Sequence, residues 1–253
     1  MLPAAPGRHA GADGGEATIM KRVKQAKTAA LMLLALAVPA CSAVDRAVPE
    51  KTVRKLAGSP EAVKTRRRAE AGLREVVQAY VEHTPLKLGQ VVVNDTCEGG
   101  TARGWLETRD SDLYKIRCGL GITAYFGADP KHIVPVLDGI LTAGDQGIPG
   151  IHFTHEVDGP IIGYYRKPYD RHDPEVPSRG IGSGSLSWDP IRDRHRTELF
   201  ISEPTSPCEN DPPVKRCLHE PEAATVAAIR NQYGMVFQLD LGTTYFKIMK
   251  KQH

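Results

Sequence analysis

Long apolar runs are missing from this 253-residue chain. The longest uninterrupted one extends from Ala29 to Val38, well short of the roughly 20 residues a bilayer-spanning helix needs. A permanent span is therefore not expected. Charge of one sign is also scarce. Five of the 33 basic and two of the 30 acidic residues precede Cys41, so 28 of each remain from Cys41 onward. A balanced chain argues against a nucleic-acid partner, which calls for a clearly basic domain. Cysteines at Cys-x-x-Cys spacing are absent, and neither a metal nor a cofactor is expected. The stretch Gly180-Ile181-Gly182-Ser183-Gly184 lacks the Lys-Ser/Thr of a P-loop and the strand–helix setting of a dinucleotide turn. It reads as a flexible connector. No repeat of fixed period is visible.

What the chain does carry is an export signal. Lys21, Arg22, Lys24 and Lys27 precede the apolar run, which ends in Val38-Pro39-Ala40-Cys41. A basic stretch, a short apolar stretch and small residues at the cut make a secretory signal peptide over 20–40. Its ending resembles the lipobox of bacterial lipoproteins, with Val38 and Ala40 matching and Pro39 departing from the pattern. That resemblance implies lipidation (palmitate-type chains) at Cys41. The membrane, reached through that anchor and facing outside the cytoplasm, would then be a partner. Ordinary cleavage after Ala40, releasing the protein, and an uncut signal anchor are the alternatives. Residues 1–19 are rich in Gly, Ala and Pro without apolar periodicity. They read as an extension outside the fold, with Met20 as a candidate start.

Cysteine parity supports the lipobox reading. Five cysteines in an oxidising compartment leave one reactive thiol, whereas acylation of Cys41 leaves four that can pair. Cys208 and Cys217 bracket a short segment with Pro212 and Pro213, and Cys97 and Cys118 bracket a Gly-rich excursion with Trp105. The local pairings Cys97–Cys118 and Cys208–Cys217 are expected.

Residues 41–58 read as a tether, and 59–253 as a single α+β domain. Ser59, Pro60 and Glu61 start a helix whose apolar face is Ala69, Leu73, Val76, Val77, Tyr80 and Val81. Arg66, Arg67 and Arg68 near its start read as a solvated face, with contact to anionic lipid as the competing reading. Strands are expected over 88–93, 114–126, 160–165 and 197–202. A second helix should open at Asp129-Pro130 and run to Leu141, disturbed by Pro135 and capped by Gly144. A third should cover 221–232. The alternation of Met235, Phe237 and Leu239, then of Phe246 and Ile248, predicts a closing hairpin turning at Leu241-Gly242. The expectation is a mostly antiparallel sheet, about three helices and two disulfides. The polar, turn-rich stretch 166–196 is the expected functional loop. Trp188 within it reads as a core plug.

One constellation could carry chemistry. His152-Phe153-Thr154 and His195-Arg196-Thr197 both read His-x-Thr, which on a strand puts both side chains on one face. The pair resembles the His-x-Ser/Thr motifs of the two-histidine phosphoesterases. That resemblance implies His152 and His195 as acid and base and Thr154 and Thr197 as phosphate holders. His152, His155 and Glu156 as metal ligands are a weaker alternative, because an extended strand would point them to opposite faces. Three classes follow: a lipid-anchored surface domain that binds a ligand or protein partner, a small hydrolase, or a structural envelope protein. The first is the leading expectation, with no chemistry at the histidines.

Overall fold

Apolar residues at every second position of 114–126 build the centre of a sheet, and the helices are laid against the face they define. The computed structural model describes residues 47–102, 109–168, 170, 178–181, 184–192, 200–204 and 214–251. These belong to the unit Val44–His253. The strands are β1 (Lys87–Gly99), β2 (Tyr114–Ala128), β3 (Ser178–Ile181), β4 (Gly184–Trp188), β5 (Val214–Glu220) and β6 (Met235–Met249). They form an antiparallel sheet in the order β3-β4-β6-β2-β1-β5. The helices are α1 (Glu50–Ala57), α2 (Pro60–His83), α3 (Asp110–Leu113), α4 (Ile133–Asp145), α5 (His155–Asp158), α6 (Pro160–Arg166) and α7 (Val226–Tyr233). The α+β class and the antiparallel sheet are as the sequence indicates.

Helix α2 starts where its capping residues place it. The Ser59 hydroxyl accepts from the Ala62 amide at 3.3 Å, and Pro60 occupies the first turn. Twenty-four residues at 1.5 Å each give a rod of about 36 Å. Its face sinks Val77 and Tyr80 into the main core with Leu120, Ile122, Ala124 and Phe126 of β2. Burying one such valine contributes about 1.5–3 kcal/mol. At the other end of the sheet a second cluster joins Val53 and Ala57 of α1 to Cys97, Ile116, Cys118 and Phe246.

Five expectations change. Within 41–58, where a tether is expected, Glu50–Ala57 form helix α1 and Val53 is wholly buried. Eight residues with a buried pair at i and i+4 make too weak a pattern to stand out among mixed charges. Residues 160–165 form helix α6 rather than a strand: Pro160 sits at the first helical position, and Ile161, Ile162 and Tyr165 share the buried side. Gly144 is not the cap of α4, which runs on to Asp145. A Cβ at Gly144 would lie 1.9 Å from the Phe153 carbonyl oxygen, so close approach explains the glycine. The third helix begins at Val226, five residues later than expected, where Thr225 accepts from the Ala228 amide. It ends on Gly234 at φ 96°, a left-handed cap.

The fifth change is the largest. No hairpin closes the chain. β6 runs unbroken for 15 residues along β2. The register steps between Cys118↔Phe246 and Gly119↔Thr244, leaving Tyr245 as an extra residue. A bulge shifts the side-chain phase by one, which in sequence looks like a turn.

Within 166–196, Ser178–Ile181 and Gly184–Trp188 pair as strands, so the part of the stretch that lies in these strands is sheet rather than flexible connector. Trp188 is a core plug: it is fully buried, its Nε1 donates to the Tyr165 hydroxyl at 2.8 Å, and its ring lies 5.7 Å from that of Phe237. Cys97 and Cys118 face each other across β1 and β2 and are joined as a disulfide. Cys217 is also disulfide-bonded. Its expected partner Cys208 lies outside the described residues, as do Cys41 and the rest of 1–46.

Candidate functional site

The histidine pair is half described. His152 is exposed, Phe153 is buried, and no strand forms at 151–154. The strand premise for the His-x-Thr motif therefore fails at its first copy. Thr154 already has a structural role, since its hydroxyl accepts from the Val157 amide at 3.4 Å as the cap of α5. His195 and Thr197, with the expected strand over 197–199, lie outside the described residues. Residues 200–202 are not strand.

The histidine with strong partners is His155. Its Nδ1 lies 2.5 Å from Asp145 and its Nε2 3.3 Å from Asp138. Only the imidazolium can donate to both carboxylates. The hydrogen bond to Asp145 and then that to Asp138 raise the His155 pKa, and His155 in turn holds Asp145 below the usual carboxylate value. This clamp ties α5 to α4. Glu156 is exposed and takes no part in it.

Two buried carboxylates are also structural. Asp189, 1% exposed, accepts from the amides of Ile201 and Val236 and from two nitrogens of Arg230, all at 2.7–2.9 Å. Both oxygens are saturated. Asp95 accepts from the Tyr245 hydroxyl at 2.8 Å and faces Arg66 and Arg216 at 3.6 and 3.7 Å. Arg216 also bonds Glu70, which pairs with Arg74, which reaches Glu220. The ladder fastens α2 to the edge strand β5. Arg66 thus belongs to a half-buried network around the buried Asp95, while Arg67 and Arg68 are exposed.

A further group of polar residues lies on the sheet face opposite α2. Register sets their arrangement, since directly paired residues share a face. Asn94, Gly121 and Gly242 stand side by side across β1, β2 and β6. Thr96, Gly119 and Thr244 make the row on one side. Val92, Thr123, Asp240 and Ser185 make the row on the other. None of the three glycines has a positive φ, and a Cβ on any of them would meet nothing nearer than strand carbonyl oxygens, at 3.8 Å for Gly119 and Gly121 and 3.9 Å for Gly242. Neither backbone conformation nor packing among the described residues requires glycine here. The result is bare backbone at three of the four positions where two rows cross β2 and β6, with Thr244 at the fourth.

The rim of the patch is polar. Asp240 accepts from Thr123 Oγ1 and Gln238 Nε2, each at 2.8 Å, and from Ser185 Oγ at 3.4 Å. It has no ion pair among the described residues. Asn94 Oδ1 is buried without a hydrogen-bond partner. Tyr125 is 3% exposed among Val92, Ile201, Val226, Ile229 and Val236. Burial, and then the charges of Asp240 and Glu203, push its hydroxyl pKa up to about 12. An unsatisfied buried polar atom such as Asn94 Oδ1 costs about 1–3 kcal/mol, so it is rarely left without a use. The one sequence signal for this site was glycine in strand interiors, which marks close approach by a ligand or another backbone.

No protein-family model, no curated protein and no solved structure matches the chain.

Proposed function

We propose that this chain is a lipid-anchored extracytoplasmic binding protein whose ligand surface is the sheet face around Gly121 and Gly242. Its signal segment ends at Cys41, which carries the acyl chains. Cys208 pairs with Cys217, completing two disulfides suited to an oxidising compartment; the oxidised state of Cys217 and the parity of the cysteines support this. The ligand is polyhydroxylated, of the saccharide class. One observation carries the reading: exposed glycine backbone beside Asn94 Oδ1, which is buried without a partner among the described residues. A polyol hydroxyl can donate to Asn94 Oδ1 and to the Asp240 carboxylate on the rim. The glycines let a sugar ring approach the strands.

The test is a titration of the isotopically labelled mature chain with neutral and amino-sugar oligosaccharides, followed through its amide resonances. Shifts should cluster at Gly119, Gly121, Thr123, Gly242 and Thr244 and vanish in Asp240→Asn. Shifts centred on His152, or none with any saccharide, would sink the proposal.

A further inference from the structure

The chain enters the folded unit at one end of the sheet. The Val48 amide donates to the Gly100 carbonyl at 2.9 Å, the Gly100 amide to Lys115 at 3.2 Å, and the Lys250 amide to Leu113 at 2.9 Å. Tyr114 pairs with Met249. Val48, Gly100, Leu113, Lys115, Met249 and Lys250 therefore form one continuous rim. Large apolar side chains are exposed at four described positions, Leu88, Leu113, Val157 and Met249. Two of the four, Leu113 at 38% and Met249 at 51%, are neighbours on this rim. Lys115 and Lys251 beside them are exposed, and Lys250 is half-exposed with its Nζ on the Thr101 carbonyl. Asp110 of α3 also lies here, paired with Arg117 and Lys247; an apolar pair flanked by Lys115, Lys250 and Lys251 suits an interface between acyl chains and anionic headgroups.

Chain length decides what covers the rim. Only five residues, 42–46, lie between Cys41 and Ala47. Even fully extended, six Cα-to-Cα steps reach no more than about 22 Å. An anchor at Cys41 therefore keeps the end of the sheet where the chain enters close to the bilayer.

We propose that the end of the sheet bearing Leu113 and Met249 rests on the bilayer that holds the anchor, with Lys115, Lys250 and Lys251 on anionic phospholipid headgroups. The proposal rests on the anchoring read for Cys41. The strands then stand up from the membrane, and the face around Gly121 and Gly242 looks sideways along its surface.

The test uses the mature chain with Cys41→Ser, so that no acyl chain contributes. It is sedimented with vesicles of equal parts phosphatidylglycerol and phosphatidylcholine, and with phosphatidylcholine alone, at low salt. Binding to the anionic vesicles is expected, weakening as salt screens the charges. Lys250→Gln with Lys251→Gln should lower partitioning about thirty-fold, the effect of losing two surface charges. Leu113→Ser with Met249→Ser should lower it about ten-fold. Leu88→Ser with Val157→Ser, the exposed apolar residues elsewhere, should leave it unchanged. The proposal is overturned if the parent chain binds neither vesicle, or if the rim variants bind as it does. Equal loss in the Leu88/Val157 pair would overturn it too. Intact mass of the protein from producing cells reports acylation of Cys41 separately, so either reading can fail alone.

Discussion

Replacing Gly121 and Gly242 by threonine should make the protein more stable and unable to bind. The two residues face each other across β2 and β6, and neither has a positive φ. A new Cβ at either meets only carbonyl oxygens, at 3.8 or 3.9 Å, an ordinary van der Waals distance. The fold therefore has no steric objection. Threonine gains over glycine in a strand by about 1 kcal/mol per site, through β-propensity and the smaller entropy of its unfolded chain. A Thr–Thr pair across the strands adds about 0.2–1 kcal/mol. The double variant should gain about 2–3 kcal/mol, and its melting temperature should rise by about 4–12 °C. The new side chains would fill the bare patch, so saccharide-induced shifts should disappear. Thermal denaturation and the resonance titration on the same sample decide the matter. A loss of stability would mean that something packs on these glycines. Unchanged binding would mean that the patch is not the ligand surface.

Two further outcomes follow from the charged groups. Asp189→Asn turns an amide NH2 toward donors that now converge on a carboxylate, so urea denaturation should show a loss of about 3 kcal/mol; a loss under about 1 kcal/mol would refute the role given to Asp189 and Arg230. The His155 clamp should be visible in the pH dependence of stability. The folded pKa is raised above the unfolded 6.5, so the contribution is complete below pH 6.5 and is lost as pH rises through the raised value. Asp145, lowered from 3.8, adds the opposite limb, lost as pH falls through its folded pKa. Melting curves of His155→Gln across both ranges should lack these components, and a variant with the parent's pH profile would rule the clamp out.

Local signals in the sequence were strong where one element decided its own fate. Ser59-Pro60-Glu61 and the face through Val77 and Tyr80 define α2 without help from the rest of the chain. The alternation through Ile116, Leu120 and Ile122 defines β2 in the same way. The Cys97–Cys118 pairing is also local, because β1 and β2 are neighbours in chain and in sheet. Readings went astray where tertiary contacts choose between local options. Ile161, Ile162 and Tyr165 favour strand by propensity, yet the packing of α6 on α4 keeps them helical. Val53 and Ala57 make a helix only because Cys97, Ile116 and Phe246 wait beneath them. The candidate site was the least legible part. Its residues come from four strands, and each looks ordinary alone. Only the register brings Asn94, Gly121, Gly242 and Asp240 to one face, and register is set by the whole sheet.

The extra residue at Tyr245 makes β6 a strand with two phases. Phe237 and Leu239, at odd positions, feed the main core, whereas Phe246 and Ile248, at even positions, feed the cluster beneath α1. Thr243 and Thr244 lie exposed between the two phases. Deleting either would remove the bulge: Phe246 and Ile248 would keep their face, while Tyr245 would take the regular place opposite Gly119 and turn its hydroxyl away from Asp95. The irregularity is thus what lets two successive side chains, Tyr245 and Phe246, serve the same side of the sheet.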